Sequence, residues 1–340
     1  MDQPLLSRDP EEGARLLALA FLDQAAAAFP RLRDRSDPEG LHDFRVALRR
    51  LRSCLRAYRS HLDKGLPKKL EKRLRRLAAS TGPGRDLEVQ IEWLRPQSRH
   101  LAPSHRAGLS WLVARLDERL QKEHAGLTDH LDEEFPALEK DLRDRLSVYR
   151  TEIHLDAQAR RPTFGEATAV ILREQAAELE THLARIRDAD DETEAHEARI
   201  SAKRLRYLLE PLLDEIPPAA PAAQVIKKLK GLQDVLGELH DAHVLETELH
   251  EAAVSAASGR YSGLFRLAIQ EAPDERLLRT QRRSAAENGV IALGRLNRAR
   301  RDRLFRKIEE SWLGGQEAEP LRELEEVAAE LSPPPASTTA

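Results

Sequence analysis

The stretch LHDFRVALRRLRSCLRAYRSHL, residues 41 to 62, decides how the rest of the chain is read. Leu41, Phe44, Leu48, Leu51, Leu55, Tyr58 and Leu62 recur at alternating steps of three and four, the spacing of a buried helical face. One residue later, in the same rhythm, come His42, Arg45, Arg49, Arg52, Arg56 and Arg59. At about 100° per residue this second row lies beside the apolar seam, not opposite it. Cations on a far face would be ordinary solvation. Cations along the edge of a core stand where a neighbouring helix can supply the other wall of a groove.

The stretch is then written again. Residues 195 to 210, AHEARISAKRLRYLLE, share H-x-x-R-[VI]-x-x-[RK]-R-L-R with it. His196, Arg199, Lys203, Arg204 and Arg206 match His42, Arg45, Arg49, Arg50 and Arg52 at an offset of 154. A second motif follows at an offset of 155, where Lys227, Lys228 and Lys230 match Lys72, Arg73 and Arg75. In the same register Gly237 matches Gly82, and His240-Asp241 matches Arg85-Asp86. Two motifs in one order at nearly one offset indicate an internal repeat with a loop indel.

The rest of the chain fits a helical protein. Of its 340 residues, 33% are charged and 41% hydrophobic, enough for one large core or two smaller ones. Leu, Ala, Arg and Glu dominate and β-branched runs are scarce. Helices are expected over 10–35, 36–62, 68–80 and from 85, with a loop over 96–105. Helical pattern resumes over 107–150, with interruptions near Gly126 and Pro136. Arg161-Pro162 marks the mid-chain boundary, and Thr163-Phe164-Gly165-Glu166 reads as a capping box. Helices then follow over 164–187, from about 192 and over 226–249. Residues 255–275 read as looser, 276–312 as one long basic helix, and SPPPASTTA at the end as disordered. The expected fold is an all-α helical bundle of two pseudo-symmetric four-helix halves, about 10–160 and 163–315, with long antiparallel helices. Residues 316–340 are left as an acidic segment and tail. Each half aims its basic helix at a shared axis.

The single cysteine, Cys54, has no internal disulfide partner, which points to a reducing, cytoplasmic setting. The start, MDQPLLSRDPEEGARLL, has no secretory pattern, and no window reads as a membrane span. The net charge of −3 conceals a segregation: residues 31–76 hold 16 Lys/Arg against 6 Asp/Glu. Such a local excess calls for a polyanion, or for an acidic region of the chain itself.

Cations three and four residues apart stand about 4.5 and 6 Å apart along a helix axis, which suits a linear polymer with a charge on every unit. Arginine favours phosphate through its planar fork. Single-stranded nucleic acid would want stacking platforms, yet aromatics are only 4% of the chain, and Tyr58 lies on the apolar seam. No helix-turn-helix, zinc-finger or RRM signature is present. A polyanion without bases, inorganic polyphosphate above all, fits better.

H-x-x-R-V-A-L-R-R-L-R at 42–52, H-x-x-R-I-x-x-K-R-L-R-Y at 196–207 and L-K-G-L-Q-D-V-L-G-E-L-H-D at 229–241 resemble the conserved histidine α-helical domain, CHAD, over roughly residues 10–315. The resemblance implies a bundle of two pseudo-symmetric halves that binds inorganic polyphosphate through basic helix faces, with links to polyphosphate or storage granules and their proteins. It implies a stand-alone member, since no E-x-E-x-K signature of a fused CYTH phosphohydrolase domain is seen. Arg85, where the second half has His240, departs from the doubled pattern.

The candidate polyphosphate contacts are therefore His42, Arg45, Arg49, Arg50, Arg52, Arg56, Lys72, Arg73 and Arg75, with His196, Arg199, Lys203, Arg204, Arg206, Lys227, Lys228 and Lys230. The lysines of 227–230 are expected at the groove's mouth. Plainer readings stand beside these. His42 and His196 also suit helix starts or metal ligands, and the arginines suit ion pairs with acids of 117–144. Arg50 and Arg204 lie nearly opposite the seam. Asp86 and Asp241 read as caps or arginine partners, and Trp93, Trp111 and Trp312 as core or seam. No cofactor, catalysis or specific nucleic acid is expected. The alternatives are a scaffold for an acidic protein, or a metal-dependent phosphohydrolase built on His240-Asp241 with His196, His243 and His250.

Overall fold

The computed structural model describes residues 3–34, 37, 39–62, 65–148, 161–217, 220–270, 275–282 and 285–332. Every regular element among them is helical. Helix α1 (Pro10–Ala28) starts on Asp9, whose carboxylate accepts from the Glu11 N–H, with proline at the first position and Glu11 and Glu12 in the first turn. The rest of the expected 10–35 helix tightens into a 3-10 turn over Phe29–Arg33. The basic stretch forms α2 (Glu39–Ala57), followed by the single turn α3 (Arg59–Leu62). Then come α4 (Lys68–Ser80) and α5 (Gly82–Leu94), split at Thr81, whose hydroxyl donates to the Ala78 carbonyl. Two 3-10 turns, Arg95–Arg99 and Pro103–His105, fill the expected loop.

Helix α6 (Arg106–Leu146) runs through Gly126 and Pro136 without the expected interruptions. An interior proline costs about 3 kcal/mol. Here Leu131, Phe135, Leu138, Leu142 and Leu146 are all buried around it, each at most 1% exposed, and burial of such side chains contributes about 1.5–3 kcal/mol apiece. Packing outweighs the lost backbone bond.

After residues 149–160, which lie outside the described set, α7 (Phe164–Leu183) opens on the expected box: Thr163 accepts from the Glu166 N–H and Glu166 from the Thr163 N–H. Helix α8 (Glu192–Leu209) carries the repeated basic motif. Helix α9 (Ala222–Ala268) is continuous through Gly237, where the first half breaks at Thr81 next to the matching Gly82, and it runs on through residues 255–268 of the stretch expected to be loose. Ala252, Ala253, Ala256 and Ala257, strong helix formers, carry the helix into that stretch, and Arg260 ties it to Glu287 at 2.7 Å. The expected 276–312 helix is helical on both sides of residues 283–284, which lie outside the described set: α10 (Glu275–Arg282) precedes them and α11 (Ala285–Trp312) follows. Residues 316–332 are not a bare acidic tail. They include α12 (Ala318–Leu331), whose Leu324, Val327, Ala328 and Leu331 are buried. The remaining tail, 333–340, lies outside the described residues.

The basic helices occupy corresponding places. Helix α2 packs on α1 and α4, α8 packs on α7 and α9, and α2 and α8 touch each other. Phe44, Leu48, Leu51, Leu55, Tyr58 and Leu62 point into one core with Ala198, Ala202, Leu205, Leu209 and Leu212. Leu41, the first residue of the stripe, packs on its edge. A second apolar cluster joins α5, α6, α9 and α11. Among the described residues no helix is long and apolar enough to cross a membrane.

Candidate functional site

With their apolar stripes facing the core, α2 and α8 must turn their cationic rows along its edge, and α4 closes the third side. The result is a groove of about 830 Å³. Arg49, Arg52, Arg56 and Arg59 line it from α2 and α3, Lys68, Lys72 and Arg75 from α4, and Lys203 and Arg204 from α8. Leu55, Leu74, Ile200 and Tyr207 supply the apolar wall, and Glu71 is the acid within it, 4.0 Å from Arg59. Among the described residues Arg49, Arg52, Arg56, Lys72, Arg75 and Lys203 form no ion pair, whereas Arg204 meets Glu178 at 3.2 Å.

The electrostatics record this imbalance. Burial, then repulsion from Arg75, Arg49 and Arg56, pulls the Arg52 pKa down. The Lys203 ammonium is lowered to about 7, by burial first and then by Arg199, Arg49 and Arg206, with Asp241 opposing. Arg204 is lowered by burial and by Arg56. Desolvated like charges facing one another destabilise the empty groove, and a polyanion laid along it would relieve that cost.

Deeper between the helices lies a mixed cluster. Arg199 is depressed by burial, against the pull of Asp241, and Arg45 by burial, against Glu88. Burial raises Asp86 and Asp241 despite nearby arginines: Arg199 and Arg45 for the first, Arg199 and Arg300 for the second. The rings of His196 and His240 stand 4.7 Å apart at 47°, and each has a buried Nδ1 without a hydrogen-bond partner. Burial lowers both imidazoles, His240 to about 4. His243 instead bonds through Nε2 to the Ala189 carbonyl at 2.8 Å, and His250 is exposed. Among the described residues no group of three His, Cys, Asp or Glu side chains is placed to hold a metal.

The candidate residues therefore separate. Arg49, Arg52, Arg56, Lys72, Arg75, Lys203 and Arg204 line the groove. Arg45, Arg199 and His196 belong to the deeper cluster. His42 is exposed in the first turns of α2 and lines none of the cavities described. Arg50 and Arg206 both turn to Glu210, at 2.9 and 3.4 Å, and Arg206 also stacks over Tyr207. Arg73 turns to Asp141 on α6 at 2.7 Å. The expectation for residues 227–230 needs correction. Lys228 faces α12, bonded to Glu319 and Glu323 at 3.0 and 2.9 Å, and Lys227 and Lys230 are exposed on α9 without lining the groove. The acidic helix α12 draws that face of α9 away. Lys68 was missed because it stands at the very start of α4. Arg300 was not singled out within its basic run: it lies over Trp93 with its pKa lowered by burial.

A cationic groove walled by the two repeated basic helices is the arrangement implied by the CHAD resemblance, and the family profile described as CHAD domain matches residues 17–250. The chain belongs to the CHAD domain family. Among solved structures, the crystal structure of the CHAD domain from the plant Ricinus communis superposes with a TM-score of 0.59 at 22% identity, covering 81% of this chain and 92% of that one. At that identity the likeness speaks for the fold. No curated protein matches the sequence. The family match ends within α9, so α10, α11 and α12 lie beyond it in this CHAD protein.

Proposed function

We propose that this CHAD protein binds inorganic polyphosphate along the α2–α4–α8 groove, acting as a non-enzymatic binder that places or organises polyphosphate, including its granules. The observation that carries the reading is the set of six cations from three helices, Arg49, Arg52, Arg56, Lys72, Arg75 and Lys203, facing one channel without carboxylate partners among the described residues. Exposed pairs contribute only about 0–1 kcal/mol each, so one phosphate gains little. A chain that meets several cations at once gains by multivalency and counterion release. Tyr58 is fully buried and Tyr207 is 6% exposed, so the groove offers no run of platforms for stacked bases.

Titration with long-chain polyphosphate, orthophosphate and charge-matched RNA tests the reading. Polyphosphate should bind with length-dependent affinity, while orthophosphate does not compete at equal phosphate concentration. Equal binding of RNA would overturn the preference. Loss of an acidic protein partner on charge reversal at Arg49 and Lys203, with polyphosphate binding intact, would favour a scaffold instead.

A further inference from the structure

Lys203 differs from the other lysines of the groove. It lines the channel from α8, facing Arg49, Arg52 and Arg56 of α2, whereas Lys68 and Lys72 stand exposed on α4. Its side chain is partly buried, and among the described residues its Nζ has no hydrogen-bond or carboxylate partner. That nitrogen is nevertheless not sealed off as the orphaned Arg45 nitrogens are, so it opens onto the groove. Arg199, Arg49 and Arg206 stand close enough to repel its charge, and Asp241 opposes them more weakly.

An amine attacks only in its neutral form. An ordinary lysine, with a pKa of about 10.4, is neutral to less than about 0.1% at pH 7. Burial and the three arginines bring Lys203 to about 7, so roughly half of it is neutral there. Lower basicity returns part of that gain, but a partly desolvated amine beside other cations is the form in which lysine serves as a nucleophile. The surrounding guanidiniums then select the electrophile. Their planar forks hold phosphate, so a reagent that carries one is drawn to the same wall. A carbonyl joined directly to that phosphate lies within reach of Nζ. Its phosphate is also the leaving group, whose developing charge the guanidiniums stabilise.

We infer that Lys203 is an acylation site within the groove, modified by small acyl phosphates that rest their phosphate on Arg49 and Arg52. The neutral Nζ attacks the carbonyl carbon and forms the C–N bond, and the bond from that carbon to the phosphate oxygen breaks. Orthophosphate leaves with the electron pair, Nζ gives up one proton to it, and the product is a neutral amide. No oxidant or reductant is needed. The inference rests on the phosphate-binding reading of the groove and adds a covalent control to it. Acylation removes one of the six unpaired cations and lengthens the side chain into the channel, so it weakens the hold on a polyanion.

The experiment treats the full chain near neutral pH with acetyl phosphate, or with the neutral donor N-hydroxysuccinimidyl acetate, and follows each lysine by peptide mass spectrometry. Acetyl phosphate should modify Lys203 at least about tenfold faster than Lys140, which is exposed on α6 and lines no part of the groove. The ratio should shrink with the neutral donor, which has no phosphate to be held. Long-chain polyphosphate should slow the reaction at Lys203 and leave Lys140 unchanged. Protein acetylated at Lys203 should bind polyphosphate more weakly, with a slope of log affinity against log salt shallower by about 0.7. Lys203 reacting no faster than Lys140, or an equal ratio with both donors, would overturn the acylation site and leave polyphosphate binding to its own titration. Fast, phosphate-dependent acetylation that polyphosphate does not slow would uphold the site and overturn the polymer reading of the groove.

Discussion

Lys203 gives the groove a proton linkage. In the empty protein its ammonium is lowered to about 7 by burial and by Arg199 and Arg206 on α8 and Arg49 on α2, with Asp241 on α9 opposing. A polyanion lying against it restores the charged form toward the ordinary value of about 10.4. Binding therefore takes up a proton wherever Lys203 starts neutral. The sign follows: affinity is level below pH 7 and falls as pH rises through it. With one site shifting over that range the limit is tenfold per pH unit, so polyphosphate affinity should drop about tenfold between pH 7 and 8.5. Interior phosphates of the polymer are strong acids and do not titrate there. His196 and His240 are lowered below their ordinary range and stay neutral above pH 7. Calorimetry in two buffers of different ionisation enthalpy reads the uptake directly, and it should approach one proton per protein near pH 8.5. Lys203→Arg should retain binding and abolish both the uptake and the pH dependence. Equal affinity at pH 7 and 8.5, or an Arg variant that keeps the dependence, would refute the reasoning.

The same crowding of charge predicts a trade between stability and binding: Arg52→Met should raise the melting temperature of the unliganded protein, by roughly 0.5–1 kcal/mol at the transition, while weakening polyphosphate. Polyphosphate should reverse the ranking of the two melts. Lys228→Glu should leave polyphosphate binding unchanged, because its partners are Glu319 and Glu323 on α12, and should lower stability in chemical denaturation. Gly289→Ala should destabilise by about 1–3 kcal/mol, since a Cβ there would fall 2.7 Å from Gly108 Cα, where α11 crosses the start of α6. A melting curve unchanged from wild type would show that the crossing yields.

What the sequence disclosed follows from periodicity. The apolar rows of α2 and α8 fix which side of each helix is buried, and the cations one residue further on are then carried to the core's edge. Arg49, Arg52, Arg56 and Lys203 were legible for that reason. Partner choice was not. Lys228 and Arg73 have the same spacing credentials as Lys72 and Arg75, but Glu323 on α12 and Asp141 on α6 lie close by only after folding. Helix ends were misjudged where packing outweighs local preference, as at Pro136 within α6 and at the far end of α9.

The most direct measurement is a polyphosphate titration of the wild type and of the Arg49→Glu, Lys203→Glu double variant at several salt concentrations. Engagement of six groove cations predicts a slope of log affinity against log salt near −4, using about −0.7 per contact for a single-stranded polyanion, and no saturable binding by the double variant. Unaltered affinity and slope in that variant would contradict the account, since the polymer would then lie elsewhere.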